Sequence, residues 1–223
     1  DRLIHTDPPF TDAQLMFKGL AGPWRLGEYH LTVPVRDPTY WLDRPVQQTL
    51  YDGSGTYGGT DDLLGKPKPR ARGGTAGNPI RNVRPVLVDP ATLIYQYTDG
   101  AGTVVNLYEG GYAGTTFQAN TADLYVGTTT AGQYRTDNAR GLFQLGTIPT
   151  REITADVTGA FPTAGALSSL MNVLRYSLVE DMQLPSALLD TAAFTAAATA
   201  LPYVSGYWIG PEEMSGFQLA SYL

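Results

Sequence analysis

Few residues of this chain have types that could do chemistry, and their spacing narrows the field further. No cysteine occurs among the 223 residues, which removes disulfides, thiolate metal sites and cysteine nucleophiles. Only two histidines exist, His5 and His30, too far apart and too few for a zinc site. Asp61-Asp62 and the Asp-Gly pairs offer oxygen ligands, but no spacing matches a calcium loop, and Asp-Gly is common in turns. No G-x-S-x-G elbow prepares a serine nucleophile. Gly53-Ser54-Gly55-Thr56-Tyr57-Gly58 spells a dinucleotide fingerprint. That fingerprint needs a helix after it, and Gly65, Pro67 and Pro69 follow too soon. Gly65-Lys66-Pro67 ends like a phosphate loop, yet it has Pro67 in place of Ser or Thr, and Thr60 where the first glycine belongs. Paired carboxylates for sugar cleavage leave no mark in sequence, since only their geometry defines them. The sequence therefore calls for no catalytic residue, no metal and no cofactor.

What stands out instead is a run of positive charge. Lys66, Lys68, Arg70, Arg72, Arg81 and Arg84 gather six of the fifteen basic residues within nineteen positions. Such a run could meet phosphates. In a chain of net charge −6 it reads better as an extended arm laid on an acidic neighbouring subunit, and no nucleic-acid contact is expected. Just before it come Tyr40, Trp41, Tyr51 and Tyr57. These aromatics could stack on sugars, but beside an irregular loop they read as interface anchors. The expected subunit contacts are Trp41, Tyr51, Tyr57, Lys66, Lys68, Arg70 and Arg72.

The elements that must position these residues follow from composition and periodicity. Charged residues make up only 16% against 43% apolar, with 25 Gly, 16 Pro and 14 Tyr, which favours β-structure, many turns and surfaces covered by neighbours. No run reaches the ~20 apolar residues a membrane helix needs. Residues 1–45 read as the end of a β-rich domain. There Tyr29, Leu31, Val33 and Val35 alternate with polar residues as in a half-buried strand, at an edge or irregular because of Pro34. Residues 46–80 read as an extended Gly/Pro-rich crossover without regular elements. Residues 81–160 read as a β-module with strands at 84–88, 93–98, 104–109, 124–127, 132–136, 142–145 and 153–157. Residues 161–223 turn helical. Leu167, Leu170, Met171, Leu174 and Leu178 form one apolar stripe, and Asp190 caps a helix over 191–201 that Pro202 ends. A strand falls within 203–209, and a third helix starts at Gly210-Pro211-Glu212-Glu213. The fold class is α+β: β-rich modules, short-stranded sandwich or barrel-like, joined by the crossover and followed by a helical α+β segment. Both ends read as cut from something longer.

The order of motifs resembles a recurrent segment of phage, prophage and gene-transfer-agent tail proteins. Val33-Pro34-Val35-Arg36-Asp37 is followed by Leu42-Asp43-Arg44-Pro45, Leu50-Tyr51-Asp52-Gly53 and Leu64-Gly65-Lys66-Pro67-Lys68-Pro69. Then come Arg81-Asn82-Val83-Arg84-Pro85-Val86-Leu87-Val88-Asp89, Leu93-Ile94-Tyr95-Gln96-Tyr97-Thr98-Asp99-Gly100, Gly141-Leu142-Phe143-Gln144-Leu145-Gly146 and Ile153-Thr154-Ala155-Asp156-Val157-Thr158-Gly159. The resemblance covers roughly residues 15–160 and supplies no catalytic residues. It implies a non-enzymatic structural component of a tail tip or baseplate, hub-like, in the distal tail of a virion assembled in the host cytoplasm. It implies other tail proteins as partners and a symmetric homo-oligomer, a trimer first. The alternatives are a carbohydrate-binding module of a tail protein recognising host glycans, and a cell-wall glycoside hydrolase domain.

Overall fold

The computed structural model describes residues 19–223. The chain divides into two compact units, the first ending at Trp41 and the second running from Leu42 to Leu223.

In the first unit, residues 20–36 form a two-stranded antiparallel ribbon, followed by a 3-10 helix that starts at Pro38. The ribbon's strands are β1 (Leu20–Ala21), β2 (Arg25–Leu26), β3 (Leu31–Thr32) and β4 (Val35–Arg36), with β1 on β4 and β2 on β3. Ala21 faces Val35 and Arg25 faces Thr32, so the outgoing strand carries one residue more than the returning one between these pairs. Pro34 has no N–H to give, and the returning strand breaks there. Its carbonyl instead accepts the Gly22 N–H at 2.7 Å. The expected alternation of 31, 33 and 35 is present, but these side chains are exposed rather than half-buried, and Tyr29 sits in the turn.

The second unit is built on two sheets that enclose a shared core. Its strands are β5 (Arg70–Gly73), β6 (Ile80–Val83), β7 (Val86–Asp89), β8 (Ile94–Gln96), β9 (Gly102–Glu109), β10 (Thr116–Asn120), β11 (Gln133–Asp137), β12 (Leu142–Leu145), β13 (Ile153–Phe161), β14 (Gly165–Ala166) and β15 (Gly206–Ile209). One sheet has the order β10-β11-β12-β8-β7. The other runs β14-β13-β5-β15, with β6 and β9 also paired to β13. Tyr95, Tyr97, Tyr134, Phe143 and Leu145 of the first meet Val83, Val104, Leu107, Ile153, Ala155 and Val157 of the second. Tyr95 and Phe143 stack with ring centres 5.3 Å apart. The chain is thus α+β and β-rich, with a sandwich at its centre.

The expected segments of the second unit do not stand apart. The crossover contributes β5, a fully buried strand with β13 on one side and β15 on the other. Strands from the crossover, the β-module and the helical segment therefore share one sheet. Glycine density marks close backbone approach here rather than absence of structure. A Cβ on Gly73, whose φ is +84°, would lie 2.5 Å from the Ser205 carbonyl oxygen. The expected strand at 124–127 is a turn, because the Asp123 carboxylate accepts the Tyr125 N–H at 2.9 Å and bends the chain. The strand β10 was not expected; four of its five residues are exposed, so it shows no alternation.

Both β9 and β10 carry a bulge. Val105 is the extra residue between the pairs Val157–Val104 and Asp156–Asn106, and Gln118 is extra between Phe117–Tyr134 and Ala119–Arg135. Bulges on edge strands discourage pairing with another chain. At the other edge of the first sheet, β7 packs against the 3-10 turn Thr56–Gly58.

The helices are α1 (Leu170–Tyr176), α2 (Thr191–Ala200) and α3 (Gly216–Tyr222). The Asp190 carboxylate accepts the Ala193 N–H at 3.0 Å, the expected cap. The helix α3 starts later than expected, at a capping box of Ser215 and Gln218. A π-helical turn, Ser177–Asp181, extends α1.

Candidate contact surface

Arg70 and Arg72 were expected on a neighbouring subunit. The structure turns both inward. They sit two apart on β5, so they share one face of the sheet. That face looks onto the π-helical turn, where Asp181 waits. Arg72 donates to Asp181 from Nη2 at 2.7 Å, and from Nε to Oδ2 at 3.1 Å. Arg70 donates to the same carboxylate at 2.8 Å and to Asp99 at 3.2 Å. Tyr207, opposite Arg72 in the register, donates its hydroxyl to Asp181 at 3.1 Å. Burial first, and then the Asp181 carboxylate, hold the Tyr207 phenol well above its ordinary range, so it remains a donor. Arg72 also donates to the Ala160 carbonyl at 2.7 Å, with its guanidinium 5.2 Å from the Phe161 ring centre. Two arginines thus face two carboxylates, and the group clasps the helical end to the sheet. It exposes no nucleophile. The cause is the period of the strand, which a count of charges along the sequence does not contain.

Tyr51 is a core residue as well, 1% exposed, with its hydroxyl donating to Gln96 at 2.7 Å. It too is corrected from a contact residue to a packing one. Tyr57 is half-buried. It meets Tyr125 edge-on at 5.1 Å, donates to Asp123 at 2.6 Å, and lies 4.9 Å beneath the Arg140 guanidinium. Burial, then the bond to Asp123, pushes its phenol up to about 12. Lys68 is half-buried with its ammonium 5.4 Å from the Tyr51 ring centre. Lys66 is exposed. Trp41 is half-buried at the end of the first unit, 5.6 Å from Tyr40. The six expected contacts of the second unit do not form one surface. The run was split by β5, which buries its two arginines.

The glycine fingerprint binds its own side chain. The Asp52 carboxylate accepts the Ser54 N–H at 2.9 Å and its hydroxyl at 2.6 Å, and no α-helix follows. A carboxylate in that concavity repels phosphate. Among the described residues, no group of three or more Asp, Glu, His or Cys could hold a metal ion, and no helix is long and apolar enough to cross a membrane.

The surface that sequence reasoning missed is the apolar face of the ribbon. Leu26 lies opposite Leu31, Val33 and Val35 follow at period two, and Trp24 precedes Leu26 by two. These five side chains are between 43% and 75% exposed. The opposite face carries Arg25, Thr32 and Arg36. A two-stranded ribbon is marginal alone in water and needs its apolar face covered. A contiguous exposed apolar set of this kind marks an interaction site. The alternation was legible in sequence; periodicity identifies a face but not what covers it. No protein-family model, no curated protein and no solved structure matches this chain.

Proposed function

We propose that this chain is a structural subunit of a bacteriophage-like tail tip or baseplate, holding neighbouring subunits together without catalysing a reaction. The resemblance across residues 15–160 supports the kind of particle. The observation that carries the mechanical role is the uncovered apolar ribbon face of Trp24, Leu26, Leu31, Val33 and Val35. Its partners in this reading are other tail proteins and further copies of itself in a symmetric ring, a trimer first, at the distal tail of the virion. Assembly takes place in the host cytoplasm. Neither nucleic acid nor a cofactor takes part.

Cryo-electron microscopy of purified particles tests this. The expected result is density for the chain at the distal tail, with the ribbon over residues 20–36 packed against a neighbour. Particles that lack the chain, or a ribbon whose apolar face stands in solvent within the particle, would overturn it.

A further inference from the structure

We infer that a cleft at one end of the six-stranded sheet binds an oxyanion, a carboxylate or a phosphate carried on a small polar ligand. The cleft lies where the turn between β5 and β6 meets the chain entering β15, beside the end of α3. Gly74, Asn78, Arg81, Ser205, Gly206 and Tyr222 line it, around about 320 Å³. Two glycines keep it open. A Cβ on Gly206 would lie 2.7 Å from the Gly74 nitrogen and 2.8 Å from Ile80 Cγ1, and Gly74 has φ +74°. Side chains are therefore excluded from both positions, and the concavity is set by backbone.

The lining has one sign. Among the described residues, no Asp or Glu lines the cleft, and Arg81 is its one cation. Five other arginines of this unit have partners: Arg70 and Arg72 in Asp181, Arg84 in Glu152, Arg140 in Asp137, and Arg135 in backbone carbonyls. Arg81 is exposed and makes no ion pair among the described residues. The buried carboxylate in this part of the sheet, Asp156, is already held by the Asn82 N–H, the Asn106 amide and the Tyr108 hydroxyl. Asn82, directly after Arg81, has φ +52°, a conformation an Asn adopts at a cost and one that is common at binding sites. The Asn78 amide and the Ser205 and Tyr222 hydroxyls make no hydrogen bond within the described chain. A guanidinium with neutral donors around it is the set that recognises a carboxylate or phosphate, and the fork of Arg favours two parallel bonds. The volume admits a ligand of monosaccharide size.

This site does not depend on the assembly role, and either can fail alone. The whole chain is titrated with glucuronate, glucose 6-phosphate and glucose, followed by backbone amide shifts. One or both anionic probes should shift residues 74–81 and 204–206, while glucose does not. Glucuronate alone would identify the carboxylate as the source, glucose 6-phosphate alone the phosphate. Arg81→Ala should weaken the anion at least tenfold, and Arg81→Lys should recover part of that loss. Tyr222→Phe removes one hydroxyl without touching the fold and should weaken binding a few-fold. The inference fails if neither anion binds, if glucose binds as well as the anions, or if Arg81→Ala binds undiminished.

Discussion

Arg72 and Asp181 are 109 positions apart in sequence and 2.7 Å apart in space, and each side chain is 1% exposed. One comes from the crossover and the other from the helical end, so the pair fixes where the last third of the chain docks. Removing Asp181 leaves Arg72 as an uncompensated buried charge. Asp181→Ala is expected to cost about 3–5 kcal/mol in denaturant unfolding. Replacing both, as Arg72→Met with Asp181→Leu, should cost less, since the one buried charge that remains, Arg70, keeps Asp99 as its partner. A double replacement as damaging as the single one would mean that geometry, not charge, sets the cost.

The clasp also reverses what the basic run predicts under mutation. Were it a free arm, changing Lys66, Lys68, Arg70 and Arg72 to Ala would leave the fold intact. The structure instead expects Lys66→Ala to be within ~0.5 kcal/mol of the parent, because Lys66 is exposed, and Arg72→Ala to be severely destabilising. Thermal melts of the two single variants decide the matter.

The Tyr57–Asp123 bond gives a pH signature. Asp123 is held below its ordinary value of 3.8, chiefly by the Tyr57 hydroxyl and next by the Tyr125 N–H. A depressed carboxyl pKa contributes stability that is present above the unfolded value and lost as pH falls through the folded one. That contribution is therefore full at neutral pH and fades only below about 3.8. Tyr57→Phe removes the largest cause, so the Asp123 carboxyl midpoint, read by carbon NMR, should rise toward 3.8. An unchanged midpoint would show that the backbone donor alone holds it down.

The parts of the fold that were legible are those governed by neighbours in sequence. Asp190 announced its helix because a cap acts three residues away, and the strand over 142–145 announced itself by buried apolar side chains between turn residues. Arg72 was illegible because its partner lies in another segment and because a charge in a Gly/Pro-rich stretch reads as solvated. The strand β10 was illegible because exposed strands carry no periodic signal. The ribbon was half legible. Its alternation showed in the residue types, while the exposure of its apolar face depends on packing that sequence does not state.

That exposure yields the prediction nearest to function. Leu26 and Leu31 face each other across the ribbon, and both are more than half exposed. In the free chain, a charge at either position replaces an apolar side chain already in water, so Leu31→Asp should leave the melting of the second unit unchanged. In an assembly that covers the face, the same change buries an unpaired carboxylate, which costs several kcal/mol. Asp at both positions adds like charges directly opposite each other, which destabilises the ribbon pairing further. The expected outcome is a folded second unit, seen by the stacked Tyr95–Phe143 core resonances, with loss of the chain from purified particles. Incorporation of the double variant at parental levels would show that the ribbon face is not what neighbours hold.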